Sequence, residues 1–519
     1  MSTDFFRNPA PHQAAHPDRG SHPYLLTSNQ SKNCRPLNRT RPAPRVRPVI
    51  YRARVMVVYV LAVFMTVMDG TMVNVALPTL ADEFGVASTD IEWVAVGYLL
   101  SLAAVIPVAG WLGDRFGSKQ VFVAALVLFV LVSMACAAAQ TVQQLVVLRV
   151  LQGVGGGLLT PVGSAMLFRA YPLADRAKAA IGVLSVVVIA PAVGPVIGGV
   201  LVDQTSWRWI FFINGPIGAA AIALALWWLR SDDGQEKGIA GRFDAPGFVL
   251  SAVAVSVLVY TLTIGPEQGW TSPSVIGFAI VGTVTAVALV IVELQQRDPM
   301  LKLRLLRDRH FRTINIAAPF VYAGFFGWIM VLPLYMQTLR GFSATTSGLV
   351  QAPQAVGVFL VSNLLGRRLY RVVGPRRLMI AGSLIHAGFT ASFALATLTT
   401  PVEMLGALSF GRGASVGMVF VSIQTAVYAT TSLADTGRAT SAFNTVRQIA
   451  YACGVAVAFT VVSARLTTVG GDSAPAIDRL SAYQWGFLAC GLLIVPAAIG
   501  SWFLRDEDVA ATRSLETFT

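Results

Sequence analysis

Two opposite charges interrupt stretches of this sequence that otherwise look suited to hydrocarbon. Asp69 lies in "VMVVYVLAVFMTVMDGTMVNVALPTL" (55–80), and Arg149 lies in "LVVLRVLQGVGGG" (145–157). Burial makes the charged form of an acid costly, so such an acid can bind and release a proton. Arginine keeps its proton and therefore needs a counter-charge or water. We interpret Asp69 and Arg149 as candidate proton-coupling residues. The alternatives are a structural carboxyl bonded to a neighbouring helix and an arginine paired with backbone carbonyls.

The polar neighbours of these two charges are expected to differ in role. Gln152 follows Arg149 by three residues, so on a helix it shares the same face and should orient the guanidinium. Asn74 follows Asp69 by five residues and points about 140° away on an ideal helix. We therefore expect Asn74 to pack against a neighbouring helix rather than share a site with Asp69.

The composition indicates an integral membrane protein. Of the 519 residues, 55% are hydrophobic and 13% charged, too few polar groups to cover a water-soluble surface. The apolar runs are continuous and close to the ~20 residues a helix needs to cross a bilayer, whereas β-barrel strands alternate. This predicts an all-α protein. The four cysteines lack metal-like spacing, and we expect no metal site and no disulfide framework.

Fourteen apolar segments can be separated at charged and Gly/Pro-rich breaks. They cover 55–80, 91–112, 121–139, 142–168, 179–201, 208–229, 245–265, 273–294, 313–336, 345–366, 378–396, 403–431, 441–465 and 483–503. Lys and Arg concentrate in alternate loops and in the first 54 residues, which predicts that both termini are cytoplasmic. The net charge of +13 thus reflects membrane orientation, and we expect no nucleic-acid partner. Glu293, near the end of a segment, is expected to be a solvated cap.

A short internal sequence repeat suggests that the chain has two related halves. "GWLGDRFGSK" (110–119) and "RRLYRVVGPR" (367–376) each follow an even-numbered segment and share a Leu, a Gly and a closing basic residue in register. Two halves of six membrane spans each, with a two-span insert between them, would explain this repeat. The expected domains are a disordered basic tail (1–54), a six-helix bundle (55–229), a linker with two extra helices (230–312), a second six-helix bundle (313–503) and a cytoplasmic tail (504–519).

Several motifs, in order, resemble those of the fourteen-span drug/proton antiporters of the major facilitator superfamily. They are "DGTMVNVALP" (69–78), "GWLGDRFGSK", "LVVLRVLQGVGGG", "APAVGPVIGG" (190–199), "WRWIFFINGPIG" (207–218), "LPLYMQTLRGFS" (332–343) and "ATSAFNTVRQ" (439–448). Ser118 departs from the pattern, since a basic residue is common there. The resemblance implies the major facilitator fold and an exporter rather than an importer, because "APAVGPVIGG" is similar to the exporter motif.

The resemblance also assigns roles to residues of this chain. Asp114, Arg115 and Lys119 are expected to form a cytoplasmic charge cluster that holds a gate, supported by Gly110 and Gly117. The exporter motif comprises Pro191, Gly194, Pro195, Gly198 and Gly199, which should allow close helix packing. By their positions in the segments, candidates for the substrate cavity are Gln152, Tyr98, Tyr335, Asn444, Arg447 and Gln448. Interfacial anchoring is the alternative for the two tyrosines, and structural pairing is an equal alternative for Asn444, Arg447 and Gln448. Arg412 has equal claims to a functional and a structural role.

The expected function is proton-coupled export of amphipathic small molecules such as drugs, antibiotics and dyes, by alternating access across the cytoplasmic membrane. No phosphate-binding Gly-x4-Gly-Lys-Ser/Thr sequence is present, so an ion gradient, with no cofactor, must supply the energy. A dedicated exporter of one endogenous metabolite or peptide remains an alternative, and a nutrient importer fits the fold but not the exporter motif. We expect a functional monomer that is not an enzyme, since no catalytic constellation stands out.

Overall fold

The computed structural model describes most of the chain. It describes residues 48–86, 91, 93–172, 175, 179, 182–183, 186, 190, 193–194, 197–202, 204–230, 243–296, 299, 301–427, 429–432, 435–471 and 474–509. These residues belong to one compact unit, Arg47–Thr519. Most of the predicted tail, residues 1–47, lies outside the described residues.

The described elements are helices, numbered here in chain order. They are α1 (Pro48–Phe84), α2 (Trp93–Val105), α3 (Ala109–Phe116), α4 (Ser118–Ala137), α5 (Val142–Ala170), α6 (Arg208–Phe212), α7 (Asn214–Trp228), α8 (Ala245–Gln268), α9 (Pro273–Gln295), α10 (Arg309–Leu334), α11 (Ala344–Leu360), α12 (Arg367–Val373), α13 (Pro375–Ser392), α14 (Val402–Ala426), α15 (Thr436–Thr468) and α16 (Ala476–Ser501).

Twelve helical stretches within the described part of the chain are long and apolar enough to cross a membrane. The prediction of an all-helical, multi-pass membrane protein is therefore confirmed. Two of the fourteen predicted segments are not among the twelve. Segment 179–201 lies partly outside the described residues, and segment 345–366 is divided between α11 and a wider π-helical turn, Val361–Gly366.

Local sequence explains the interruptions within long helices. Pro107 lies in a 3-10 turn between α2 and α3, and Pro333 precedes the π-helical turn Tyr335–Leu339 that extends α10. Proline lacks the N–H that would continue the helix ladder, so regular hydrogen bonding changes at these points. Each stretch nevertheless continues as one candidate span.

The two loops of the internal repeat have similar backbone φ angles at their aligned glycines. Gly117, between α3 and α4, has φ 91°, and Gly374, between α12 and α13, has φ 87°. Side chains other than hydrogen disfavour this region of φ. The glycine in each loop is thus required by the sharp turn that joins two helices.

Helix packing places α5 and α15 at the centre. α5 packs against α1, α2 and α4, while α15 packs against α10 and α16 and also against α3 and α5. The hairpin of α8 and α9 lies to one side, with α8 against α2 and α15. Much of α9 is exposed and apolar, including Val281, Val284 and Val287, as expected for a helix that faces lipid.

Candidate functional site

Asp69 lies at the centre of a buried polar cluster made by α1, α5 and α7. Its Oδ2 accepts a hydrogen bond from Arg149 Nη1 at 2.6 Å. Its Oδ1 accepts one from Gln152 Nε2 at 3.1 Å and one from Asn214 Nδ2 at 2.7 Å. All four side chains are at most 1% exposed. The acid therefore has three donors in a site without water access.

Arg149 is held from several directions. Its Nη1 also donates to Gln152 Oε1 at 2.7 Å, and its Nε donates to the Val94 carbonyl oxygen at 3.2 Å. The guanidinium carbon lies 4.1 Å from the centre of the Tyr98 ring, a cation–π distance. Gln152 is thus bonded to both charges, and Tyr98 belongs to this cluster.

The electrostatics of the cluster favour the charged pair. Two buried opposite charges are stable when the geometry is good and further hydrogen bonds satisfy both groups, as they do here. Both oxygens of the Asp69 carboxylate and the guanidinium of Arg149 therefore have hydrogen-bond partners within the described cluster.

Asn214 is the member of this cluster that sequence reasoning missed. Its amide nitrogen also donates to Ser133 Oγ at 3.0 Å, and Ser133 donates to the Phe211 carbonyl oxygen at 3.0 Å. The residue begins α7, directly after the short α6. The available signal was one amide within the apolar motif "WRWIFFINGPIG".

Asn74 does not take part in the cluster. Its side chain is exposed, which agrees with the expectation that it points away from Asp69. The expectation that it packs against a neighbouring helix stays a prediction, because much of the adjacent segment 179–201 lies outside the described residues.

A central cavity of about 50 Å³ lies between helices of the first and second halves. α1 and α5 contribute Tyr59, Val63, Thr160, Ser164, Leu167 and Phe168, and Val183 follows. α10, α14 and α15 contribute Tyr322, Phe325, Phe326, Phe420, Gln424, Asn444, Arg447 and Tyr451. Seven of these fifteen lining residues are aromatic, a feature that the sequence motifs did not predict.

The predicted cavity residues divide into two groups. Asn444 and Arg447 line the cavity, whereas Gln448 is not among the described lining residues. Gln152 and Tyr98 lie in the Asp69 cluster instead. Tyr335 is buried elsewhere and donates to the Thr397 carbonyl oxygen at 2.6 Å, so the structure does not place it at the cavity.

Among the described residues, the predicted gate contains one ion pair rather than a three-charge cluster. Asp114 Oδ1 accepts from Arg169 Nη2 at 2.7 Å. Arg115 is exposed, and Lys119 donates to the carbonyl oxygens of Leu226 and Leu229 at the end of α7, at 3.1 and 2.6 Å. Lys119 therefore caps carbonyls that a helix end leaves unpaired. The cation that partners Asp114 was not predicted.

Close backbone contact accompanies this ion pair. The Gly110 N–H donates to Ser441 Oγ at 2.8 Å, and a Cβ on Gly110 would lie 2.7 Å from the Gly437 carbonyl oxygen. A Cβ on Gly437 would in turn lie 3.1 Å from Asp114 Oδ1. α3 of the first half and α15 of the second therefore meet closely at the Asp114–Arg169 pair.

The exporter motif is described only in part. Pro191 and Pro195 lie outside the described residues. A Cβ on Gly194 would collide with Thr71 Oγ1, and one on Gly198 would lie 3.2 Å from the Met72 Cα. Gly199 has open space. The first two glycines therefore permit close packing against α1, beside Asp69.

Two further charged side chains, Glu293 and Arg412, are buried in the membrane-spanning helices. Glu293 is fully buried, and both carboxylate oxygens accept from the Leu301 N–H at 3.1 Å, so the prediction of a solvated cap is wrong. Arg412 is also fully buried and donates to Gln354 Oε1, to Thr390 Oγ1 at 3.1 Å and to the Phe325 carbonyl oxygen at 2.9 Å.

No group of His, Cys, Asp or Glu side chains within the described ranges is placed to hold a metal ion. The three described cysteines, Cys136, Cys453 and Cys490, are free thiols.

Comparison with known proteins places this geometry in context. The sequence profile of the Major Facilitator Superfamily matches residues 59–455. The multidrug transporter protein MdtP of Bacillus subtilis (strain 168) is 30% identical over 435 residues, which are 83% of this chain and 79% of MdtP. The multidrug export protein EmrB of Haemophilus influenzae (strain ATCC 51907 / DSM 11121 / KW20 / Rd) is 30% identical over 400 residues, 76% of this chain and 78% of EmrB.

A solved structure shares the fold. The human organic anion transporter MFSD10 (TETRAN) superposes with a TM-score of 0.62 at 14% sequence identity, covering 87% of this chain and 99% of that protein. At this identity the likeness concerns the fold alone.

Proposed function

Because this chain belongs to the major facilitator superfamily and is related to multidrug exporters, we propose that it is a proton-coupled antiporter. It exports amphipathic small molecules such as drugs, antibiotics and dyes across the cytoplasmic membrane by alternating access. The observation that carries this proposal is the buried Asp69–Arg149 pair. It is an acid in a membrane-spanning helix whose cation partner must be displaced before a proton can bind.

The proton and Arg149 are alternative partners for Asp69. In the described arrangement Arg149 neutralises the acid, and Gln152 and Asn214 satisfy the acid's other oxygen. A proton that arrives from outside neutralises Asp69 and releases Arg149. The uncompensated guanidinium then favours a conformation that offers it water or another acceptor. Release of the proton to the cytoplasm restores the pair.

α5 connects the proton site to the substrate cavity and to the gate. It carries Arg149 at the cluster, Thr160 and Ser164 at the cavity, and Arg169 at the ion pair with Asp114. Arg149 and Arg169 are twenty residues apart, which is ~30 Å along a helix. A shift of α5 that follows protonation therefore acts on all three places. Substrate and proton need only favour different conformations for exchange to result.

The described conformation has a contracted cavity. Drug-sized ligands occupy pockets of about 300–1,000 Å³, whereas this cavity is about 50 Å³. Substrate entry thus requires α10, α14 and α15 to move away from α1 and α5. The Asp114–Arg169 pair is partly exposed, so its modest strength suits a contact that must open and close.

The topology we propose has fourteen spans, as a six-helix bundle (55–229), a two-helix insert within 230–312 and a second six-helix bundle (313–503). Both termini are cytoplasmic, which puts the Asp114–Arg169 gate on the cytoplasmic side. The partners are the substrate, protons and the bilayer, and the functional unit is a monomer.

The experiment is efflux of fluorescent cations and common antibiotics from cells that express the wild type, Asp69→Asn or Asp82→Asn. Asp82 is an exposed acid on the same helix and serves as the matched control. Asp69→Asn should reduce efflux to the level of cells without the protein, and Asp82→Asn should leave it unchanged. A protonophore should abolish wild-type efflux.

Full efflux by Asp69→Asn would show that this acid does not couple transport to protons. Efflux that survives the protonophore would rule out the proton gradient as the energy source. If every compound of the panel fails in the wild type while one endogenous metabolite is exported, the breadth of the proposed substrate range is wrong.

A further inference from the structure

The hairpin of α8 and α9 connects the two halves of the molecule. α8 packs against α2 of the first half and against α15 of the second. Val255 and Val259 of α8 form a buried apolar cluster with Ala103 of α2. Beyond the end of α8, Trp270 Nε1 donates to Thr460 Oγ1 of α15 at 2.8 Å. The hairpin therefore lies across the interface that must rearrange when the halves move.

Polar contacts join the two ends of this hairpin. Asp244 precedes α8, and its Oδ1 accepts from the Gly247 N–H at 2.8 Å. The same oxygen accepts from Gln296 Nε2 at 2.7 Å. Because Gln296 directly follows α9, this side chain ties the end of α9 to the start of α8.

Glu293 extends these contacts to the segment that leaves α9. Its buried carboxylate accepts from the Leu301 N–H with both oxygens at 3.1 Å. The next residue, Lys302, donates from Nζ to Asp435 Oδ1 at 2.7 Å. Asp435 directly precedes α15. Glu293 thus fixes the backbone beside Lys302, and Lys302 joins this segment to the start of α15.

The start of α15 is also where the two halves meet most closely. Gly437 follows Asp435 by two residues, and a Cβ on Gly437 would lie 3.1 Å from Asp114 Oδ1. One turn further along, Ser441 Oγ accepts from the Gly110 N–H at 2.8 Å. A contact that fixes Asp435 therefore also fixes the part of α15 that closes against α3.

We propose that Glu293, Lys302 and Asp435 are positioning residues that hold the start of α15 in the closed gate, with the α8–α9 hairpin as the brace that ties α15 to the first half. Lys302 and Asp435 are 34% and 23% exposed, so their ion pair is weak enough to break and reform in each cycle. The inference rests on the proposed alternating access and adds a control of its gate.

The experiment measures how often the gate opens. Ser441 is fully buried, so after Ser441→Cys, in a chain whose four native cysteines are replaced by serine, a maleimide can react only when α15 leaves α3. Labelling of this background protein in nanodiscs is followed by mass spectrometry. Lys302→Glu and Asp435→Lys should each raise the labelling rate about fivefold, the effect expected when a partly exposed ion pair is lost.

Combined and control variants assign the effect to the ion pair. Lys302→Glu together with Asp435→Lys places opposite charges at the two positions again and should return the rate to that of the background. Arg208→Glu breaks the pair of Arg208 with Glu83, whose atoms are 2.8 Å apart. That pair joins α1 and α6 of the first half, so its loss should leave the labelling rate unchanged.

Two variants of Glu293 test its positioning role. Glu293→Ala removes the acceptor of the Leu301 N–H and should raise the labelling rate as Lys302→Glu does. Glu293→Gln keeps an acceptor oxygen at the same place and should retain most of the slow labelling of the background. Fast labelling of both variants would mean that the N–H contact does not explain the role of Glu293.

The brace is refuted if neither charge reversal changes the rate, or if the exchanged pair labels as fast as the single variants. Equal acceleration by Arg208→Glu would refute it as well. Should Lys302→Glu not fold, as judged by size-exclusion chromatography, Lys302→Gln decides in its place. Transport in proteoliposomes is a separate readout. A wild type that moves no compound of the panel refutes the export function, while the labelling rates still decide the role of the brace.

Discussion

Arg149 in α5 and Arg412 in α14 are both buried arginines within membrane-spanning helices, but their partners differ in kind. Arg149 donates to a carboxylate, Asp69, at 2.6 Å. Arg412 donates to an amide, a hydroxyl and a backbone carbonyl, and its guanidinium carbon lies 3.9 Å from the centre of the Trp328 ring. None of the described partners of Arg412 is an acid.

The difference separates a charge that can be switched from one that is permanent. In the proposed transport cycle a proton replaces Arg149 as the partner of Asp69, and the number of charges in the cluster then changes. At Arg412 every described partner is neutral at all physiological pH values, so no proton can compete for the site. In that proposal the first half of the molecule responds to the proton gradient, whereas the described partners of Arg412 in the second half do not change their charge.

The largest difference in the free energy of unfolding is expected between two single variants, Arg149→Met and Arg412→Met. Arg149→Met leaves Asp69 buried without a cation and should lower the free energy of unfolding by about 3–5 kcal/mol. Arg412→Met removes a charge whose described partners include no acid and leaves neutral acceptors unpaired, so it should cost about 1–2 kcal/mol. Unfolding of the purified variants in detergent, followed by intrinsic tryptophan fluorescence, measures both.

Acid provides a second readout of the same pair of variants. Protonation neutralises the unpaired Asp69, so Arg149→Met should recover stability as the pH falls, because the folded state then holds the proton more readily than the unfolded chain does. Arg412→Met should show no such recovery. Equal losses at the two sites, or recovery at both, would contradict the distinction between a switchable and a permanent charge.

Much of the fold could be predicted because lipid restricts what can cross it. Continuous apolar runs must be helices when backbone groups have no water to bond, and most predicted segments agree with described helices. The exact helix ends and the π-helical turns could not be predicted. Pro333 precedes one π-helical turn, but the other, Val361–Gly366, contains no proline, so the sequence signals for helix breaks do not locate both.

The two charges of the candidate site could also be predicted, because a mid-span acid and a mid-span arginine each need a partner in lipid. Their neighbour Asn214 could not, since an amide carries no charge that must be neutralised and lies 145 positions from Asp69. The burial of Glu293 could not be predicted either, because it depends on a contact with a residue outside its helix. Proximity to a helix end indicates solvent, but Leu301 folds back over the carboxylate.

A smaller effect is expected from Asn214→Ala. The variant removes a donor to the Asp69 carboxylate and should cost about 1.5–3 kcal/mol, the range for hydrogen bonds to charged groups. Asn315→Ala is the matched control, because Asn315 is buried in α10 and donates to the neutral Phe311 carbonyl oxygen at 2.8 Å. That change should cost about 1 kcal/mol. Chemical unfolding of both variants distinguishes them, and equal losses would mean that the charge of Asp69 does not strengthen the bond.

The smallest effect, and the closest test of the comparison, is expected from Gln354→Glu. Gln354 already contacts Arg412, so the substitution places a carboxylate where Arg412 has only an amide and gives the second half its own ion pair. Charge-assisted hydrogen bonds are roughly twice as strong as neutral ones, and the free energy of unfolding should rise by about 1 kcal/mol. Gln354→Met, which removes the acceptor, should lower it by a similar amount.

The pH dependence of Gln354→Glu shows whether the new pair behaves like Asp69 and Arg149. A carboxylate stabilised by an arginine holds its proton less readily in the folded state than in the unfolded chain, so its stabilising effect is lost as the pH falls. Thermal melts at decreasing pH should therefore bring Gln354→Glu back to the stability of the wild type. If the variant is instead destabilised at neutral pH and recovers on acidification, Arg412 does not neutralise an acid at this position. The contrast between the halves would then reflect the surroundings of each arginine rather than the absence of an acidic partner.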